Sequence, residues 1–160
     1  MKYQLKPMSQ SDAEIIAEWK YEGPYSFYNP KSDEEDLQLL LSPQTREGVY
    51  YSVFDQDESL VGYYSFNDEG KSVEIGLGLR PDLTGQGGGR EFVIAGLEYA
   101  RHKFNPQHFK LAVATFNHRA IKVYERVGFE RGQTFLQRTN GGEYEFLSMS
   151  MDANKGTYSE

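Results

Sequence analysis

Apolar positions along the chain change between a two-residue and a roughly 3.6-residue period, and the order of those changes predicts the elements. Tyr3 to Lys6 alternates as a short strand. Ser11 followed by Glu14 reads as a capping box opening an amphipathic helix through Ile15, Ile16 and Trp19, and Ser32 with Glu35 repeats the signal ahead of Leu37, Leu39, Leu40 and Leu41. Between the two helices runs an aromatic loop, Tyr21 to Pro30, broken by Pro24 and Pro30. Val49 to Asp55, Leu60 to Asn67 and Ser72 to Arg80 are rich in β-branched and aromatic residues, with turn-like polar tetrads between them, so they form an antiparallel meander. Helical spacing returns from Phe92 to Phe104 and stops before Pro106. A short apolar strand, Leu111 to Ala114, precedes a helix from Ala120 to Val127 that ends on Gly128. Gln133 to Arg138 and Glu143 to Met151 read as a hairpin across Asn140-Gly141-Gly142.

The order is strand, helix, helix, three strands, helix, strand, helix, two strands. Its central strand-helix-strand-helix stretch implies a locally parallel region flanked by antiparallel strands, which is an α/β fold on a mixed sheet. Residues 1–151 read as one domain and 152–160 as a polar C-terminal tail, in keeping with about 100 to 200 residues per domain.

Composition narrows the chemistry. There is no cysteine, and His102, His108 and His118 lack metal-ligand spacing, so neither a thiol nucleophile nor a metal site is expected. The apolar runs fall short of a membrane span, and Met1 to Gln10 lacks the apolar core of a secretion signal, so the expected location is cytoplasmic, away from membranes. A formal charge of −7 argues against nucleic acid as a partner. That charge is uneven. Residues 80–131 hold nine Lys/Arg against five Asp/Glu, or +4, and the rest hold eight against nineteen, or −11. A polyanionic ligand in the basic stretch and a cationic one elsewhere would suit this division; so would solvated helix faces.

Six of the sixteen glycines fall between Gly76 and Gly89, where Arg80 to Arg90 ends a strand and starts a helix. Such a loop, Thr84-Gly85-Gln86-Gly87-Gly88-Gly89-Arg90, directs free N–H groups and the helix dipole at an anion. A Walker loop would need Lys and Ser/Thr after its last glycine, where Arg90 and Glu91 stand. A dinucleotide fingerprint would need its third glycine at Arg90.

Downstream lies Asn117-His118-Arg119-Ala120-Ile121-Lys122-Val123-Tyr124-Glu125-Arg126-Val127-Gly128-Phe129. With the glycine loop, this segment resembles the GNAT superfamily of acetyl-CoA-dependent N-acetyltransferases. There the pattern Gln/Arg-x-x-Gly-x-Gly/Ala holds the pyrophosphate, and Asn-x-x-Ala-x-x-x-Tyr-x-x-x-Gly-Phe supports pantetheine and sulfur. The resemblance covers nearly the whole chain in element order, and its motifs span about Glu74 to Phe129. It implies a GNAT-like fold and acetyl-CoA as co-substrate, with no metal. The implied activity is acetyl transfer to a primary amine of a small molecule or a protein, by direct attack in a ternary complex. The alternatives are an acyl-CoA-binding or sensing module of the same fold that does no chemistry, and an acidic interaction domain whose glycine loop is structural. A homodimer is left open.

The chain departs from the family pattern at Thr84, where Gln or Arg is usual, and at Gly85, often Arg. Arg90, Arg119, Lys122 and Arg126 could compensate. By resemblance, Tyr124 is the general acid, Glu74 the strand glutamate that takes the amine proton, Leu77 N–H the donor to the acetyl carbonyl, Leu79 a partner of pantetheine, and Asn117 a pantetheine contact; Asn117 also reads as an N-cap. The acceptor side is expected among Trp19, Tyr21, Tyr25, Phe27, Tyr28, Phe135 and Tyr144.

Overall fold

The computed structural model describes residues 3–154. Seven strands make one sheet: β1 (Gln4–Pro7), β2 (Tyr50–Phe54), β3 (Leu60–Asp68), β4 (Ser72–Leu79), β5 (His108–Ala114), β6 (Glu130–Thr139) and β7 (Gly142–Asp152). Their spatial order is β1-β2-β3-β4-β5-β7-β6, and only β4 and β5 pair in parallel. Parallel neighbours need a crossover. Here it is α4 (Gly89–Phe104), while α5 (His118–Val127) carries the chain past the place of β7 to the edge strand β6.

Strand alternation sorts side chains into two cores. Tyr51, Val53, Tyr64, Phe66, Val73 and Ile75 join Phe92, Leu97, Ile121 and Val127 of α4 and α5 in the larger one. Tyr50, Leu60 and Tyr63 turn the other way, onto a smaller core made by α1 (Gln10–Ala17) and α2 (Glu34–Leu41). The mixed α/β sheet expected from the sequence is therefore present, with helices on both faces. Among the described residues no helix is long and apolar enough to cross a membrane.

Both anticipated capping boxes are displaced. Ser9, not Ser11, caps α1 by accepting the N–H of Asp12 at 3.0 Å. Asp33, not Ser32, caps α2 through the N–H of Asp36 at 3.1 Å. Each true cap has an acid three residues on, as the expected boxes did, so spacing could not separate them. At α2 the surroundings separate the candidates: the Ser32 hydroxyl donates to the Ser26 carbonyl at 2.8 Å, while Asp33 also accepts the N–H of Asn140. A short α3 (Pro43–Arg46), absent from the expected order, starts on the cap-and-proline pair Ser42-Pro43; buried Arg46 donates to the Leu40 carbonyl and to Gln10.

The β6–β7 hairpin turns at Asn140 and Gly141, both left-handed at φ 51° and 77°. β6 is the exposed edge, and its pairing slips between Arg131 and Thr134, where Gly132 passes over the Ser148 carbonyl. At the chain's far end β7 includes Asp152, and Ala153 is buried, so the expected tail starts later than residue 152; its remainder, 155–160, lies outside the described residues.

Tyr64 shows how tightly α4 seats on the sheet. Its ring is fully buried and stacks on Phe92 with centroids 4.7 Å apart, and its hydroxyl donates to the Phe92 carbonyl at 2.6 Å. Gly96 crosses directly above, where a Cβ would stand 2.7 Å from Cε1 of Tyr64. In an open helix Gly→Ala gains about 1 kcal/mol, whereas overpacking a filled core costs about 1 to 3 kcal/mol. Because the ring is held at both ends, overpacking should win: Gly96→Ala should lower the urea midpoint at unchanged slope. A higher midpoint would show that the ring yields.

Candidate active site

β4 and β5 are registered at three pairs only, Ser72↔His108, Val73↔Phe109 and Glu74↔Lys110, and then diverge. Each stays bonded on its other side, β4 to β3 as far as Leu79 and β5 to β7 as far as Ala114. The direction of the free groups follows from antiparallel alternation. Arg80 N–H donates to the Val61 carbonyl, so the even-numbered residues of β4 face β3, and Leu77 and Leu79, beyond the last registered pair, turn their N–H and C=O groups into the gap.

The glycine loop closes one end of the gap. Gly85 and Gly87 take φ of 72° and 85°, which side chains resist. The loop braces itself: Thr84 Oγ1 donates to the Pro81 carbonyl at 2.7 Å, Gln86 Nε2 to the Asp82 carbonyl at 2.6 Å, and Arg80 pairs with Asp82 at 2.7 Å. The long side chains usual at positions 84 and 85 are thus replaced by internal hydrogen bonds. Gly88 is the N-cap of α4 and offers no side-chain oxygen, which leaves the first-turn N–H groups without a side-chain cap.

Below the loop lies a cleft of about 600 Å³ lined by Leu77, Leu79, Thr84, Gly85, Gly87, Gly89, Arg90, Asn117 and Tyr124. Arg119, Lys122 and Arg126 line it too, so the four cations singled out in the sequence share one wall system. Of the remaining expected residues, Gln86 and Gly88 support the loop from outside the lining, and Glu74 is not part of it. Glu74 shares with Gly76 and Gly78 the opposite face of β4, at the vertex where pairing ends, beside Lys110, whose ammonium pairs with Glu69 at 2.7 Å.

Asn117 caps α5 by accepting the Ala120 N–H at 3.2 Å, and its amide donates to the Tyr28 hydroxyl at 3.2 Å. Tyr124 projects from the middle of α5 into the cleft. Burial, reinforced by the neighbouring Tyr28 and Tyr63 phenols, holds its hydroxyl in the protonated form well above the ordinary tyrosine range.

The segment joining α1 to α2 packs beside the cleft, outside its lining. Tyr21 donates its hydroxyl to the Leu79 carbonyl at 2.8 Å, so that carbonyl, expected to face pantetheine, already has a partner. Tyr25 and Phe27 lie in a 3₁₀ turn, Gly23–Tyr28, that packs on Phe116; Phe27 also meets Tyr144 with centroids 4.8 Å apart. Asn140 at the hairpin tip donates to the Phe27 carbonyl at 2.7 Å. Phe135 stacks on Phe146, and Trp19 contacts Tyr63. The expected aromatics therefore form two groups, and Phe116, Phe146 and Tyr63 join them unannounced by any motif. Arg119 is also placed in a way the sequence could not show, with its guanidinium 4.2 Å from the Tyr25 ring centroid.

A scan of known families matches residues 3–130 to the acetyltransferase (GNAT) domain. The chain belongs to that family. A curated relative, mycothiol acetyltransferase of Saccharopolyspora erythraea, is 35% identical over 85 residues, which is 52% of this chain and 28% of that protein. Two solved structures share the fold end to end. A GNAT-family acetyltransferase from Bacillus anthracis superposes with a TM-score of 0.77 at 17% identity, covering 97% of each chain. Spermidine N-acetyltransferase from Vibrio cholerae, solved with CoA and spermine, gives 0.75 at 20% identity and covers 99% of each.

Asp36, in the first turn of α2, carries the most strongly raised carboxyl among the described residues. Burial, a hydrogen bond with Asp33 and the charges of Asp33 and Glu35 push it up to about 6, whereas Asp33, against its own desolvation, is held below its usual range by the N–H groups of Asp36 and Asn140. A raised acid binds its proton more tightly when folded, so between about pH 4 and 6 Asp36 makes the fold less stable as pH rises. Asp36→Asn should therefore melt as high as the wild type or higher at pH 7, with the difference closing towards pH 4. A deficit constant from pH 4 to 7 would contradict this.

Proposed function

We propose that the protein is an acetyl-CoA-dependent N-acetyltransferase, acting on a primary amine of a small molecule or a protein. One observation carries the reading: the diverging strands bring the uncapped start of α4, four cations, the free N–H of Leu77 and the protonated hydroxyl of Tyr124 onto one cleft. The donor set fits CoA. Loop and helix N–H groups suit a pyrophosphate, and Arg90, Arg119, Lys122 and Arg126 match its phosphates in sign. The Vibrio relative bound to CoA and spermine supports the choice of co-substrate and of an amine acceptor.

When bound, acetyl-CoA supplies an activated acetyl thioester. The chain's own residues then have three tasks. Leu77 N–H, turned into the gap, donates to the acetyl carbonyl oxygen as negative charge builds there. Tyr124 gives its proton to the departing sulfur, a role open to a phenol that stays protonated. Glu74, behind the strand vertex and off the cleft, takes the proton of the attacking amine through water. The acidic part of the chain, Asp36 included, attracts a cationic acceptor.

Binding is tested by calorimetry with acetyl-CoA on the wild type and Gly88→Asp. Gly88 has an ordinary φ of −90° and open space around its Cβ direction, so a carboxylate adds no backbone strain and suits the helix dipole. The variant should stay folded and lose acetyl-CoA; equal affinity would remove the phosphate site from this loop.

Chemistry is tested by thiol release with an amine panel. Tyr124→Phe should keep acetyl-CoA and lose about 10² to 10⁴ in turnover, and Glu74→Gln should lose activity mainly at low pH, where free amine is scarce. Binding without turnover on any amine would favour the sensing module. An unchanged chemical step in Tyr124→Phe would take that residue out of the mechanism.

A further inference from the structure

We infer that Arg119 and Tyr25 form a coupling pair through which an anion in the cleft fixes the acceptor-side wall. This rests on the reading of the cleft as a CoA seat and goes beyond it, since neither residue is given such a role by the chemistry of transfer.

The geometry is three-sided. Arg119 stands in the first turn of α5 and lines the cleft. Its Nη1 lies so close to the glycine loop that a Cβ on Gly85 would be 2.9 Å away. Its guanidinium lies over Tyr25, in the 3₁₀ turn of the α1–α2 segment, at 4.2 Å. No carboxylate ion pair engages Arg119 among the described residues. One guanidinium thus bridges the glycine loop and the α1–α2 segment, with its charge uncommitted to any acid among the described residues.

A guanidinium can serve both neighbours at once. Its flat face stacks on an aromatic ring, and its edge carries the N–H donors that fork onto phosphate. Stacking on Tyr25 therefore restricts the side chain before any ligand arrives, and less ordering is left to oppose binding. The reverse follows by linkage. A phosphate on the donor edge steadies Arg119, Arg119 steadies Tyr25, and affinity on either side changes with the state of the other.

What Tyr25 steadies is the acceptor wall. Its turn also contains Phe27, packed on Phe116 and Tyr144, and Tyr28, bonded to Asn117. Tyr21, just upstream, holds the Leu79 carbonyl. The wall therefore touches the cofactor side at three places, and only the one at Arg119 presents a charge that a phosphate can seize. An ordered cofactor would in this way prepare the surface that receives the amine.

The test is a double-mutant cycle on CoA affinity, read by calorimetry on the wild type, Tyr25→Leu, Arg119→Gln and the double variant, with Tyr25→Phe as control. An exposed cation–π contact predicts a loss of about two- to fivefold in Tyr25→Leu. That loss should vanish in the Arg119→Gln background, and Tyr25→Phe, which keeps the ring, should bind like the wild type. Hydrogen exchange supplies a second reading: CoA should slow the amides of residues 23–28 in the wild type and much less in Arg119→Gln. Equal losses from Tyr25→Leu in both backgrounds, or CoA protection of residues 23–28 unaltered by Arg119→Gln, would overturn the coupling while leaving the CoA seat intact. A wild type that fails to bind CoA would overturn both.

Discussion

Backbone groups without partners are the constraint around which this molecule is built. Where β4 leaves β5 after Glu74↔Lys110, the inward N–H and C=O groups of both strands lose their ladder, and buried groups of that kind are costly unless something else bonds them. The α1–α2 segment answers on both sides: Tyr21 bonds the Leu79 carbonyl from one, and Tyr28 joins Asn117 and the backbone of Ala114 from the other. What stays open is narrower, and it faces the cleft. The aromatic segment between the first two helices therefore supplies bonds that the sheet itself lacks, although none of residues 21–30 is buried.

Charge follows the same partition. The basic stretch lies along the glycine loop, α4 and α5, and its four cleft residues come from two helices that a linear reading sees as separate amphipathic segments. The acidic excess includes the start of α2, where Asp33 and Asp36 crowd each other at the hairpin tip. A single sheet thus holds apart a basic α4–α5 face and the acidic start of α2.

Much of this was legible in the sequence because it is local. Periodicity predicted the strands and most helices, and the glycine loop and the α5 segment announced themselves by spacing, since loop conformation and helix capping depend on adjacent residues. Three things were not local. The displaced cap at Asp33 is held by a contact with Asn140, far along the chain. The face taken by Glu74 depends on the register of β4 against β3, which no residue type reveals. Tyr25 and Arg119, far apart in sequence, meet only because the loop folds across the gap. The departures at Thr84 and Gly85 are a reverse case: they look like losses in the sequence, and the structure shows Thr84 and Gln86 bonding the loop from within and Arg119 occupying the space beside Gly85.

The edge strand β6 has a different significance. Ten residues long, exposed, and carrying Leu136 at 67% exposure, it is the kind of unpaired border along which other chains add strands and precipitate. The slip between Arg131 and Thr134 interrupts its ladder and bends it, and Arg131 and Arg138 place charge near both ends. A flaw in pairing two residues wide thus works against templating at one end of the border, and it does so far from the cleft lining, where neither Gly132 nor Gln133 takes part.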